Sequence, residues 1–295
     1  MPIVQTDVPI TWERCEQMLL QLAERYPFFR TEVIGRTEYG RTLRALYIGT
    51  GQRRVLYSAA HHANEWLTAL VLLKFAEELA EAPQRPDATI CLVPMVDPDG
   101  VDLVVGAIAE DSLAYRQAQT MAQFYPGIPF PLGWKANLKG VDLNLNYPAG
   151  WTQAREIKFA QGYTRPGPRD YVGRAPLGQK ESRALAEFTE FFDPALVLAY
   201  HSQGEVIYWQ FRDYEVPGAR ELGEEFARLS GYELADTPYE SSFAGYKDWF
   251  IQEFRRPGYT IEVGQGTNPL PLEQFDKIYA ENKPILLIAA QGMPH

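Results

Sequence analysis

Two histidines and a glutamate sit close together in the stretch His61–His62–Ala63–Asn64–Glu65. The run Val55–Leu56–Tyr57 before them is β-rich and apolar, and it ends in the small residues Ser58, Ala59 and Ala60. A helical apolar pattern follows from Trp66 to Phe75. The stretch therefore reads as a buried strand entering a helix, with ligand-type side chains at the junction, where open α/β sheets place their sites. His62 and Glu65 are three apart and His61 and Glu65 four apart. Either spacing lets one helical turn aim both groups at one ion, so spacing alone does not choose between the histidines. The plainer alternative is a histidine pair in a loop, with a glutamate stabilised by the helix dipole.

The chain holds four histidines, His61, His62, His201 and His295. His201 closes the run Leu196–Val197–Leu198–Ala199–Tyr200 much as His62 closes its own strand. Two strands can thus deliver imidazoles to one edge of a sheet, and two histidines with a carboxylate and an open fourth position make a catalytic zinc arrangement. His295 is the final residue, where chains fray. Glu262 alternates with Tyr259, Ile261 and Val263, so it points away from their apolar face. An acid on a central strand is costly unless it is paired, solvated in a cleft or near a metal. Glu262 is the candidate general base for a zinc-activated water; the alternative is an edge strand whose glutamate faces solvent.

These residues need a scaffold, and 295 residues suffice for one large core. Hydrophobic residues at 46% and charged residues at 22% describe an ordinary globular protein. A net charge of −10 argues against sequence-independent nucleic-acid binding or an anionic membrane surface as partner. Cys15 and Cys91 lie within apolar patterns and read as buried thiols. No stretch approaches the roughly 20 apolar residues of a membrane span, and no basic-then-apolar leader is evident, so the expected location is cytoplasmic, or secreted if a leader has been removed.

Thr11 caps a first helix with apolar positions Trp12, Cys15, Leu19, Leu22 and Tyr26, stopped by Pro27. Strands are predicted over 32–36, 42–49, 54–60, 88–96, 195–200, 207–211 and 258–263. Helices are predicted over 65–81, 179–192, 215–229, 247–254 and 272–291, the last interrupted at Pro284. Asp97–Pro98–Asp99–Gly100 reads as a turn. Residues 111–178 are rich in Pro, Gly, Tyr and Trp, lack clear periodicity, and read as an irregular functional surface. With no repeat and no domain boundary, the fold class is α/β: a single domain over 1–295, with a mixed, mostly parallel central sheet and helices on both faces.

Taken together, the motifs resemble the zinc metallocarboxypeptidases of the carboxypeptidase A superfamily. That family carries His-x-x-Glu after a strand, a third histidine ligand downstream and a glutamate on a late strand. The resemblance assigns His62, Glu65 and His201 to one zinc ion per chain and Glu262 to catalysis, and it favours His62 over His61. Asp97–Pro98–Asp99–Gly100 resembles the family's Asn-Pro-Asp-Gly segment, and residues 140–146 (GVDLNLN) resemble its Gly-Val-Asp-x-Asn-Arg-Asn segment. Asp142 is then the carboxylate that orients His62 through its other ring nitrogen.

Two departures bear on substrate. Asn144 keeps its place, but Leu145 stands where the family's arginine grips a terminal carboxylate, and leucine makes no charge-assisted fork. In WKANLKG, Lys135 or Asn137 fills the slot of the carbonyl-polarising arginine. The wording HHANEW, GVDLNLNYPAGW and YTIEVGQGTNPLP is similar to the bacterial γ-D-glutamyl-L-diamino acid endopeptidases, which implies muropeptides as substrates and cell-wall recycling as context. By the same resemblance Lys247 faces the side chain leaving the scissile bond, and Tyr239 is the mobile active-site tyrosine. A solvated helix lysine beside Asp248 is the plainer reading of Lys247. Arg165 and Arg169 are placed to meet muropeptide carboxylates or their own loop's acids. The alternatives are a conventional carboxypeptidase, a zinc N-acyl amino acid deacylase and an inactive muropeptide-binding protein.

Overall fold

The computed structural model describes residues 2–292, so His295 lies outside the described residues. Its framework is an eight-stranded sheet ordered β1-β2-β4-β3-β5-β8-β6-β7. In chain order the strands are β1 (Phe29–Arg36), β2 (Thr42–Ile48), β3 (Arg53–Ala59), β4 (Ala88–Val93), β5 (Leu196–Ser202), β6 (Val206–Tyr208), β7 (Glu233–Ala235) and β8 (Gly258–Val263). The central strands β4, β3, β5 and β8 run parallel, while β2 joins β4 and β6 joins β8 antiparallel. The mixed sheet expected from the sequence is present.

Helices cover both faces: α1 (Trp12–Arg25), α2 (Leu67–Glu81), α3 (Pro98–Val104), α4 (Leu113–Ala122), α5 (Trp151–Ala160), α6 (Lys180–Phe192), α7 (Ala219–Ser230), α8 (Tyr246–Phe254) and α9 (Phe275–Gln291). Strand alternation divides the core in two. Tyr57, Leu198, Tyr200 and Ile261 join the cluster under α1, α2, α7 and α9. Leu56, Val197 and Ala199 join the opposite cluster, packed against α6 and α8. Because successive side chains point to opposite faces, a one-residue slip in any central strand would exchange the two sets.

The structure corrects the sequence reading in three places. Residues 97–100 form a helix start, not a free turn: Asp97 accepts from Gly100 N–H at 3.0 Å, and Pro98 occupies the first turn of α3. The stretch read as irregular contains α4 and α5. Those helices bury only Ala118 and Ala122, and Ala154 and Lys158, respectively, so neither shows a wide apolar stripe. Pro284 does not interrupt α9, whose buried residues Asn282, Ile285 and Leu286 lie on either side of it. The alternative of an edge strand for β8 does not hold, since it is paired with β5 on one side and β6 on the other.

Gly100 lets α3 pack tightly against the loops around Ala63 and Ala136. A Cβ there would lie 2.7 Å from the Ala136 carbonyl oxygen and 2.8 Å from the Ala63 Cβ. The overlap outweighs alanine's better helix propensity. Gly100→Ala is expected to destabilise the protein by about 1–3 kcal/mol, read as a lower urea midpoint. An unchanged or higher midpoint would show that the two loops are free to move apart.

Candidate metal and catalytic site

The carboxyl ends of β3, β5 and β8 bring the chemistry together. His62 follows β3 in extended conformation (φ −108°, ψ 136°), and Ala63–Glu65 forms one 3-10 turn before α2. His62 Nδ1 thereby reaches Glu65 Oε1 at 2.9 Å. From the neighbouring strand His201 Nδ1 lies 3.0 Å from Glu65 Oε2 and 3.2 Å from His62 Nδ1. Donor atoms from His62, Glu65 and His201 all fall within 4.8 Å of one another. The two imidazole nitrogens and the Glu65 carboxylate converge closely enough to hold one cation. Two nitrogens and a carboxylate oxygen are also a fitting donor set for zinc.

Each donor is fixed from behind. His62 Nε2 lies 3.0 Å from Asp142 Oδ1, and Asp142 Oδ2 accepts from the Asp170 N–H at 3.2 Å. Asp142 thus sets the ring orientation that aims Nδ1 inward. Glu65 accepts from the Ser202 N–H at 3.2 Å, and Lys135 Nζ lies 3.0 Å from its Oε1. Burial alone would raise the Glu65 carboxyl, but His62, Lys135 and His201 hold it well below the usual carboxylate range. Burial would also depress His62, yet Glu65 and Asp142 push it up to about 9. His61, by contrast, turns away. Its Nε2 lies 3.3 Å from the Tyr147 hydroxyl, and its ring packs on Tyr246. The choice that spacing left open is thus made by ring orientation.

Glu262 pairs with His201 across the β5–β8 ladder and is half-buried beside the donors. Burial and the nearby charge of Glu65 push its carboxyl up to about 8. Two cavities meet at this glutamate. One, of about 200 Å³, includes Asn144, Leu145, Lys247 and Asp248 in its wall. The other, of about 730 Å³, is bordered by residues 127–133 and 266–269. Lys135, Arg169, Tyr208 and Glu262 line both.

The remaining sequence candidates divide. Lys247 is buried, not solvated: its Nζ donates to the Gln210 carbonyl and ion-pairs with Asp248, each at 2.6 Å. Asn144 lines the cleft and accepts from the Tyr246 N–H. Asn137 does not face either cavity. It is buried, and its Oδ1 accepts from the N–H groups of Lys139 and Val141, shaping the turn that precedes Asp142. Of the two residues weighed for the polarising slot, Lys135 is therefore the one in the cleft. Tyr239 is 67% exposed beside the rim and packs on Phe243. Arg165 stacks over Phe124, away from the donors. Sequence reasoning missed Lys158 and Asp170, which form a buried pair at 2.8 Å in the cleft wall. Lys158 belongs to the unrecognised α5, and Asp170 was passed over for the arginines beside it.

The family model of zinc carboxypeptidases matches residues 15–285. The chain belongs to the zinc carboxypeptidase family. It is 43% identical over 281 residues to gamma-D-glutamyl-L-diamino acid endopeptidase 1 of Lysinibacillus sphaericus, covering 90% of this chain and 68% of that protein. Its fold is like that of thrombin activatable fibrinolysis inhibitor, with a TM-score of 0.76, 16% identity and coverage of 98% of this chain and 76% of that one. It is also like that of murein-tripeptide amidase MpaA from Escherichia coli O157, with a TM-score of 0.58, 20% identity and coverage of 90% and 93%.

As a member of this family the protein is a zinc metallopeptidase, a hydrolase of peptide bonds with zinc as its cofactor. No helix among its described residues is long and apolar enough to cross a membrane. Removing one imidazole from the donor set is expected to cost the ion. His201→Ala, purified with limiting zinc, should retain well under half of the metal bound by the parent chain in elemental analysis. Full occupancy in that variant would remove His201 from the donor set.

Proposed function

We propose that this zinc peptidase cleaves the γ-D-glutamyl–diamino acid amide bond of peptidoglycan stem peptides. In this reading His62, Glu65 and His201 hold the zinc ion, Asp142 orients His62, and Glu262 is the general base. The observation that carries the substrate assignment is the 43% identity to the Lysinibacillus sphaericus endopeptidase. Leu145 in the cleft wall supports it further. A conventional carboxypeptidase grips its substrate's terminal carboxylate with a cation, and leucine offers none.

When bound, zinc supplies Lewis acidity to the scissile carbonyl and to the attacking water. Glu262 takes a proton from that water as the oxygen attacks the carbonyl carbon. It then passes the proton to the departing amine as the C–N bond breaks. Lys135, at the meeting of the two cavities, offers positive charge to the oxygen on which negative charge develops. The leaving diamino acid enters the smaller cavity. There Asn144 presents its side-chain amide, and the buried Lys247–Asp248 pair presents both signs of charge.

The direct test is digestion of L-Ala-γ-D-Glu-meso-diaminopimelate with product masses determined. The expected products are L-Ala-D-Glu and free diaminopimelate, and a zinc chelator should stop their release. Glu262→Gln should keep its zinc and lose turnover by about 100-fold or more. Release of only ordinary C-terminal residues from α-peptides would overturn the substrate reading while leaving the zinc site intact. Parental turnover in Glu262→Gln would overturn the base.

A further inference from the structure

A γ-linked glutamyl substrate differs from an ordinary peptide in one charged group. Its scissile carbonyl is the side-chain carboxyl, so the α-carboxylate stays free, a short methylene chain from the bond that breaks. An ordinary acyl residue carries no such anion on its backbone. A site selective for the γ-bond therefore needs a cation near the junction of acyl and leaving groups, with donors not already committed elsewhere.

Four cations border the smaller cavity: Lys135, Lys158, Arg169 and Lys247. Lys158 is 8% exposed and committed to Asp170 at 2.8 Å. Lys247 is satisfied by Gln210 and Asp248, and it does not border the larger cavity. Lys135 does border both cavities, but its ammonium lies 3.0 Å from Glu65. Arg169 also lines both cavities, and its side chain remains 43% exposed. Only its Nε is engaged, by Asp170 Oδ2 at 2.5 Å, and its Nη groups have no hydrogen-bond partner among the described residues.

The local backbone suggests that this placement is built in. Asp170 sits in the left-handed region at φ +63°, an uncommon conformation for a residue other than glycine. It is held there by three contacts: its N–H on Asp142, its carboxylate on Lys158, and its other carboxylate oxygen on Arg169. Asp142 in turn lies against His62. The arginine that faces the junction is thus tied, through Asp170 and Asp142, to the histidine that faces the ion.

From this arrangement we propose that Arg169 selects γ-linked glutamate by binding its free α-carboxylate through the two Nη groups. The inference rests on the substrate class proposed above and adds the residue that reads it. A guanidinium fork matches a carboxylate in plane and in charge. Arg169 takes no part in bond breaking; it determines specificity.

The test compares L-Ala-γ-D-Glu-meso-diaminopimelate with its counterpart in which the glutamate α-carboxylate is a carboxamide, using the zinc-loaded full chain. The wild-type protein should cleave the carboxylate form with the higher kcat/KM. Arg169→Gln should lower kcat/KM for that form by about 10- to 100-fold, chiefly through KM, while the carboxamide form changes by less than about 2-fold. Arg169→Lys should restore part of the preference, and zinc content near that of the parent checks that each variant is folded. Equal cleavage of both forms by the wild-type protein overturns the proposal without any variant. Equal losses on both forms in Arg169→Gln also overturn it, by showing a general structural role. If the wild-type protein cleaves neither form, the substrate class itself falls, and this inference falls with it.

Discussion

The site depends on one buried anion. Glu65 is 1% exposed in the 3-10 turn before α2, where an unpaired carboxylate would cost several kcal/mol. It remains ionised because His62, His201, Lys135 and the Ser202 N–H converge on its two oxygens. Those partners come from the end of β3, the end of β5 and the loop before Asp142. Parallel pairing of β3 with β5, and of β5 with β8, brings the first two together with Glu262. The sheet register is therefore also the register of the chemistry. A shift of one residue in β5 would turn His201 to the opposite face.

Outward from that carboxylate the structure is a chain of charge compensation. Asp142 bridges His62 and the Asp170 backbone; Asp170 binds Lys158 and Arg169; Asp248 binds Lys247. Burying so many ions is expensive unless each is paired. The pairing leaves Glu262 and the Nη groups of Arg169 facing the space where the two cavities meet. A net charge of −10 thus coexists with a cleft bordered by Lys135, Lys158, Arg169 and Lys247.

Much of this was legible in the sequence, for physical reasons. A catalytic zinc site uses few residue types, and with four histidines in the chain their positions at strand ends carried information. Long apolar or alternating runs marked α2, β3, β5 and β8 because those elements are buried almost throughout. Residue spacing alone did not choose His62 over His61, which depends on ring orientation about the 3-10 turn, and only the family resemblance favoured His62. Helices α4 and α5 escaped notice because they bury small residues or a lysine. Asn137 was read as facing substrate, but its role is to bend the backbone ahead of Asp142, and a polar residue's direction is not encoded in its type. The plainer alternative for Lys247, a solvated helix lysine, does not hold: it is buried in the cleft wall, because Asp248 neutralises it within the same turn.

The most direct test of the convergence at Glu65 is anomalous diffraction from zinc-loaded crystals, with data recorded on both sides of the zinc absorption edge. The structure predicts one strong peak in the pocket, about 2.0–2.2 Å from His62 Nδ1, from His201 Nδ1 and from a Glu65 oxygen. A peak bound instead by His61, or none among these three side chains, would contradict it.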